Sequence, residues 1–186
     1  MPRRRDAAAT RDAILRSALV AFTHHGYDGV GVREIAGAAG VTAMLVNRYF
    51  GSKEQLFAEV VEAAFAQRTL IADDVESMSR FAAAALVAAE PRSVDGFLLM
   101  LRSVANPKAT EILRNAIELR FQRPLEALLP GADRRERAAL FLSVLAGVQL
   151  MRQVVGSPAL AGTDPAALER RLRPLFEVLV AEEDLP

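Results

Sequence analysis

The 186-residue sequence predicts an all-α fold. Three observations carry that prediction. Alanine is the commonest residue, with 34 copies, while strand-favouring aromatics are scarce, with two Tyr and no Trp. Apolar residues recur at three- and four-residue spacing. The periodic runs are bounded by cap residues, glycines and prolines, and no run shows the apolar–polar alternation of a half-buried strand. With 52% apolar and 25% charged residues, the chain has the composition of a folded domain and the length to bury a core.

Each element follows from local signals. Thr10 caps a first helix from Arg11 to about His24, with Ile14, Ala18 and Phe22 on one stripe and Gly26 ending it. A short second helix fits Val32 to Ala39 and stops at Gly40. Thr42 caps a third, reaching Tyr49. Ser52 with Gln55 forms a capping-box pattern that opens a longer helix toward Leu70. Beyond Asp73-Asp74, a fifth helix runs from about Val75 to Ala89, closed by Pro91, and a sixth from Ser93 to Val104. Asn106-Pro107 opens a seventh as cap and N1 proline. Pro124 lies inside that segment and should kink or divide it before Leu129. After the Pro130-Gly131 break come Asp133 to Val155 and, opened by Asp164-Pro165, a last helix to about Ala181. The expectation is about nine helices and no strand.

Composition and charge narrow the function. There is no Cys, which excludes disulfides, thiolate zinc sites, iron–sulfur clusters and cysteine nucleophiles. The apolar runs Phe81 to Ala89 and Ala138 to Met151 are too short or too interrupted to span a membrane. Met1-Pro2-Arg3-Arg4-Arg5-Asp6 has charge but no apolar stretch after it, so no signal peptide is expected and the cytoplasm is the expected compartment. Net charge is zero, yet residues 1–53 hold eight Arg/Lys against four Asp/Glu, and residues 54–186 hold fifteen against nineteen. The basic excess comes first, which suits a nucleic-acid-facing N-terminal part on a more acidic body.

The informative stretch is Gly31 to Phe57, GVREIAGAAGVTAMLVNRYFGSKEQLF. Two short helices joined by a tight turn need small residues where they cross, a turn residue free to take positive φ, and apolar inner faces. Ile35, Ala36 and Ala39 meet the first need, Gly40 the second, and Val41, Val46 and Tyr49 complete the inner face. Ala43, Met44, Leu45, Asn47 and Arg48 are left pointing outward. That is the layout of a helix-turn-helix, whose second helix enters the DNA major groove. With the cap and the flanking ring, the candidate DNA contacts here are Thr42, Ala43, Met44, Leu45, Asn47, Arg48 and Tyr49. Met44 and Leu45 would meet thymine methyl groups; Arg48 suits a guanine edge or a phosphate, and its place late in the helix favours the phosphate.

Around this stretch the sequence resembles the tetracycline-repressor (TetR) family of bacterial transcriptional regulators. The matching pieces are Phe22 with Gly26-Tyr27, Ile35-Ala36 with Ala39-Gly40-Val41-Thr42, and Tyr49-Phe50 with Lys53-Glu54 and Leu56. The resemblance covers roughly Thr10 to Phe57. It implies a homodimer on a palindromic operator, usually a repressor released when a small ligand enters a larger C-terminal domain. Two positions depart from the pattern: Asn47 stands where a phosphate-touching tyrosine is common, and Gly31 where Thr or Ser often caps the second helix. A glycine cap costs only a few tenths of a kcal/mol. The Asn47 amide suits a phosphate or an adenine edge.

Further candidates lie outside that segment. Lys53 opens the fourth helix, where a cation opposes the helix dipole, and a phosphate nearby would reverse that penalty. Arg3, Arg4 and Arg5 are read as an arm along the DNA backbone or minor groove, and Arg33 as a further contact. His24-His25 reads as a polar helix end, and Asp73, Asp74 and Glu76 as a solvated loop, so neither metal nor cofactor is expected. Phe65, Met78, Phe81, Phe97, Met100, Leu101, Ile117, Phe121 and Met151 have the spacing of core residues, and the resemblance implies that some line the pocket of a small-molecule effector.

In the last two long helices, Ala139, Ser143, Ala146 and Gly147 form a small-residue stripe. Leu140, Val144, Met151, Leu168, Leu172, Leu175, Phe176 and Leu179 add more apolar surface than one helix pair needs. A two-fold four-helix interface would bury it. The expected organisation is a DNA-binding domain over residues 1–50, with 1–9 as its basic arm, and a dimerisation and sensing domain over 51–186. The expected function is a ligand-responsive repressor. One rival is a DNA-silent helical sensor or adaptor that kept the fold; an enzyme is the other, but no nucleophile–base–orienter set is visible.

Overall fold

A computed structural model describes residues 2–66, 74–88 and 92–181. Among these residues the chain is helical throughout, with eleven α-helices, two π-helical segments and no strand. The helices are α1 (Pro2–His25), α2 (Val32–Ala38), α3 (Ala43–Phe50), α4 (Lys53–Ala66), α5 (Val75–Val87), α6 (Arg92–Ser103), α7 (Pro107–Ile117), α8 (Arg123–Leu128), α9 (Arg134–Gln149), α10 (Pro158–Ala161) and α11 (Pro165–Val180). The π-helical segments are Glu118–Gln122 and Leu150–Val154. No helix among the described residues is long and apolar enough to cross a membrane.

Two compact units emerge. One takes α1 to α4 together with α6 and α7 up to Ala116; the other takes α5 and the chain from Ile117 onward. In the first unit, Ile14, Ala18 and Phe22 of α1 are fully buried beside Ile35, Val46, Leu56, Phe57 and Val60. Phe22, Tyr27 and Phe57 form its aromatic centre, with Phe57 edge-on to both partners at 5.1 and 5.0 Å. The second core joins Met78, Ala82, Ala83 and Leu86 to Leu168, Leu172, Phe176 and Val180, with Phe141 4.7 Å from Phe176. Arg152 donates to the carbonyls of Leu86 and Val87 at 2.6 and 3.2 Å, satisfying acceptors that the end of α5 leaves without a helical partner.

Several expectations need correction. The first helix begins at Pro2, not Arg11, because proline suits N1 and the Ala7-Ala8-Ala9 run propagates helix through the expected arm. The segment around Pro124 is divided before Leu129, as expected, though by a π-turn ahead of the proline. The N–H of Arg123 bonds the carbonyl of Glu118, five residues back, and this wider π-turn carries the chain into α8 with Pro124 in its first turn. A second such turn, with Val155 N–H on Leu150, carries the chain from α9 to the expected end near Val155, and α10 then follows unannounced by the sequence. Pro174 sits inside α11, a helix proline that periodicity passed over. The expected ends near Leu70, Ala89 and Pro91 lie outside the described residues, as does Asp73.

Candidate nucleic-acid interface

The helix-turn-helix is built as local chemistry requires. Gly31 caps α2 without a hydroxyl, and Glu34 reaches back to accept its N–H at 2.6 Å, so the cap is supplied from within the helix. Gly40, at φ 71°, turns the chain. Thr42 then caps α3 by accepting from Leu45 N–H at 3.4 Å, and Ser52 does the same for Gln55 at 3.1 Å ahead of α4. Val46 and Phe50, four residues apart, are the buried face of α3. Met44, Asn47 and Arg48 form the opposite stripe at i, i+3 and i+4, and Met44 is 81% exposed.

Two assignments on α3 change accordingly. Phe50, not Tyr49, joins Val46 on the inner face, and Tyr49 sits half-buried on the flank. Leu45 is also half-buried, so Met44 alone is the large apolar side chain fully presented by this helix; Ala43 is half-buried and Thr42 exposed. Arg33 projects from α2 and is exposed. Backbone helix includes Arg3, Arg4 and Arg5, but their side chains lie outside the described residues, as does that of Glu76. His24 and His25 are exposed at the end of α1.

Lys53 has an environment that spacing could not reveal. Its ammonium lies 4.5 Å from the centre of the Tyr27 ring, over the face. The Tyr27 hydroxyl is pushed up to about 12, first by burial, then by the charge and hydrogen bond of Glu54, and last by Asp28. Lys108 of α7 donates to Glu54 at 2.9 Å, and that hydrogen bond is the main reason the Glu54 carboxyl is held at about 2. The corner between α6 and α7 makes further contacts with the same region. Tyr27 N–H donates to Ser103 Oγ at 3.0 Å, Asn106 donates to Asp28 at 2.8 Å, and Arg102 donates to the Thr23 carbonyl. On the other flank, Arg11 pairs with Glu59 and lies over the Phe50 ring at 4.8 Å. Only Gly26-Tyr27 and Lys53-Glu54 were noticeable in the sequence; nothing there pointed to Lys108 or Asn106 as partners.

Phe65 and Phe97 are buried in the first unit, where Met100 and Leu101 are half-buried. Met78 and Phe121 are buried and Phe81 and Ile117 half-buried in the second unit, whereas Met151 is 43% exposed and is not core. A cavity of about 460 Å³ opens between α1 and α2, lined by Arg16, Val20, His25, Val30, Glu34 and Ala38 among others, away from those residues. Of the expected interface set, Leu168, Leu172 and Phe176 are used inside their own chain, packed on α5, because α5 supplies the apolar partner that the sequence left unassigned. Leu140, Ser143, Gly147 and Leu175 are exposed; Ala139, Val144, Ala146 and Leu179 are half-buried. Val178, 52% exposed beside Leu175, was missed.

An all-helical chain that presents the second helix of a helix-turn-helix with an uncovered Met–Asn–Arg stripe belongs to the class of helix-turn-helix DNA-binding regulators. Comparison with known proteins makes this specific. Residues 14–60 match the family described as bacterial regulatory proteins, tetR family, and residues 75–180 match the tetracyclin repressor-like C-terminal domain, so this chain belongs to the TetR family of transcriptional regulators. Among curated relatives, it is 40% identical over 70 residues to the HTH-type transcriptional regulator BetI of Agrobacterium fabrum, covering 38% of this chain and 33% of that protein. It is 53% identical over 53 residues to the HTH-type transcriptional regulatory protein RaaS of Mycobacterium tuberculosis, covering 28% and 24%. The matched segments thus span about a third or less of those relatives. Among solved structures, NalD, the secondary repressor of the MexAB-OprM multidrug efflux pump in Pseudomonas aeruginosa, superposes with TM-score 0.70 at 26% identity over 94% of this chain and 97% of that one. A transcriptional regulator from Rhodococcus sp. Rha1 shares the fold, with TM-score 0.64 at 22% identity over 95% and 99% of the two chains.

Proposed function

We propose that this regulator is a homodimeric, ligand-responsive repressor that reads a palindromic operator. The observation that carries the reading is the exposed stripe Met44–Asn47–Arg48 on a helix capped by Thr42, with Lys53 at the start of the next helix. Met44 is offered to a thymine methyl, Asn47 to an adenine edge or a phosphate, and Arg48, Lys53 and Arg33 to phosphates. The DNA-reading part runs to about Phe50, and the rest of the chain carries dimerisation and sensing.

The exposed Leu140 on α9 and Leu175 and Val178 on α11, with the small exposed Ser143 and Gly147 on α9, support a two-fold interface, since a second copy would cover apolar side chains that this chain leaves in water. Operator half-sites have a fixed separation. An effector that changes the distance or angle between the two recognition helices would therefore cost contacts in both subunits. In this reading the protein works in the cytoplasm, where it meets its operator.

The test is to select fragments of the source genome with the purified protein, then repeat with Arg48→Ala and Lys53→Ala. The expected result is a palindrome enriched by the unmodified protein alone. Recovery of the same background by all three proteins would overturn the assignment and leave a DNA-silent sensor.

A further inference from the structure

The ammonium of Lys53 and the carboxylate of Glu54 are adjacent in sequence, yet the structure keeps them apart in function. Glu54 faces the Tyr27 hydroxyl and takes the ammonium of Lys108 at 2.9 Å. Among the described residues no carboxylate pairs with Lys53; its ammonium rests on the Tyr27 ring face, 4.5 Å from the centre. A ring face attracts a cation without occupying any of its three N–H donors, whereas a carboxylate would occupy donors and cancel the charge. The ring is itself fixed. Tyr27 is 5% exposed, wedged against Phe22 and Phe57, and its backbone N–H is tied to Ser103 on α6.

We infer that Tyr27 is a positioning residue for DNA binding: its ring holds the Lys53 ammonium aimed and unneutralised for a DNA phosphate, while Lys108 keeps the Glu54 carboxylate occupied. Holding the long lysine chain in place before contact removes part of the rotamer entropy that a phosphate contact otherwise costs. The inference rests on the DNA-binding reading above, through the Lys53–phosphate contact.

Salt dependence reads it directly, because each phosphate contact contributes about one to the slope of log K against log salt. The probe is a mixed-sequence DNA duplex titrated with the full-length protein across a series of KCl concentrations. Lys53→Gln should lower the slope by about two for a dimer, one for each half-site. Tyr27→Phe keeps the ring and should leave the slope unchanged. A fluorinated phenylalanine at position 27 keeps the shape but strips the negative ring face, and should weaken binding several-fold in the wild-type background and not at all in the Lys53→Gln background. Lys108→Met should weaken binding, and adding Glu54→Gln should restore it.

If Lys53→Gln leaves the slope untouched, the phosphate contact and this inference fall together. If Lys53→Gln lowers the slope while the fluorinated ring has no effect, or has the same effect without Lys53, the positioning role alone is overturned. Failure of Glu54→Gln to rescue Lys108→Met would overturn the role given to Lys108.

Discussion

Gly26 and Gly40 share a left-handed φ of about 70°, yet their surroundings separate them. A Cβ on Gly40 meets nothing within 4 Å, so Gly40→Ala should cost about 1–2 kcal/mol, the backbone penalty alone. On Gly26 it would stand 2.2 Å from the backbone oxygen of Arg102, a collision that no side-chain rotation relieves. Gly26→Ala should therefore cost well over twice as much, measured by denaturant unfolding. Tyr27 gives a second test. Its hydroxyl titrates higher folded than unfolded, so its contribution to stability is complete below about pH 10 and is lost as pH rises toward about 12. Tyrosinate absorbance of the folded protein should contain a component titrating near 12 that Tyr27→Phe removes. Glu54 has the opposite sign: its folded value lies below the unfolded one, so the pair with Lys108 contributes above about pH 4.5 and fades as pH falls toward about 2. With both side chains substantially exposed, Glu54→Gln should shift acid unfolding only slightly, and only in that window.

Helix α3 shows what can and cannot be read from spacing. Its cap, its turn glycine and its outward Met44, Asn47 and Arg48 were legible because they follow from backbone rules that act within a few residues. Which flank residue was buried was not: Tyr49 and Phe50 differ by one position, and Phe50, four residues on from Val46, is the one that turns inward. The stripe also makes separable predictions. Asn47→Ala should cost about 1–3 kcal/mol on the selected operator, leave the salt slope unchanged and relax preference at one base of each half-site. Arg48→Ala should weaken binding to every sequence and lower the slope by about one for each half-site. Gel-shift titrations with single-base operator variants distinguish the two. In the later helices the wide turn at Glu118–Gln122 divides the segment ahead of Pro124, and the one at Leu150–Val154 carries the chain to the expected helix end; the change of helix pitch itself is something composition does not encode.

For the whole molecule, oligomeric state is the sharpest observable. Leu140→Glu combined with Leu175→Glu places like charges on the exposed rows of α9 and α11 without touching Phe141 or Phe176 in the core. Sedimentation should show a folded monomer, and operator affinity should fall by more than tenfold because two half-sites are no longer held together. A dimer that survives both changes would put the interface elsewhere. The helical class and the helix-turn-helix layout were legible in the sequence, whereas the packing of α6 and α7 with α1 to α4 was not. Spacing could not show that packing, because the ties that make it, Arg102 to Thr23, Ser103 to Tyr27 and Lys108 to Glu54, join residues more than fifty positions apart.

That distant joining limits how the chain can be recombined. A chimera that transplants only the first fifty residues onto another sensor would strip Tyr27 of its Ser103 acceptor, leave Glu54 behind and remove the Arg102 backbone that packs against Gly26. A portable DNA reader from this protein has to carry the α6–α7 corner along with the recognition helix.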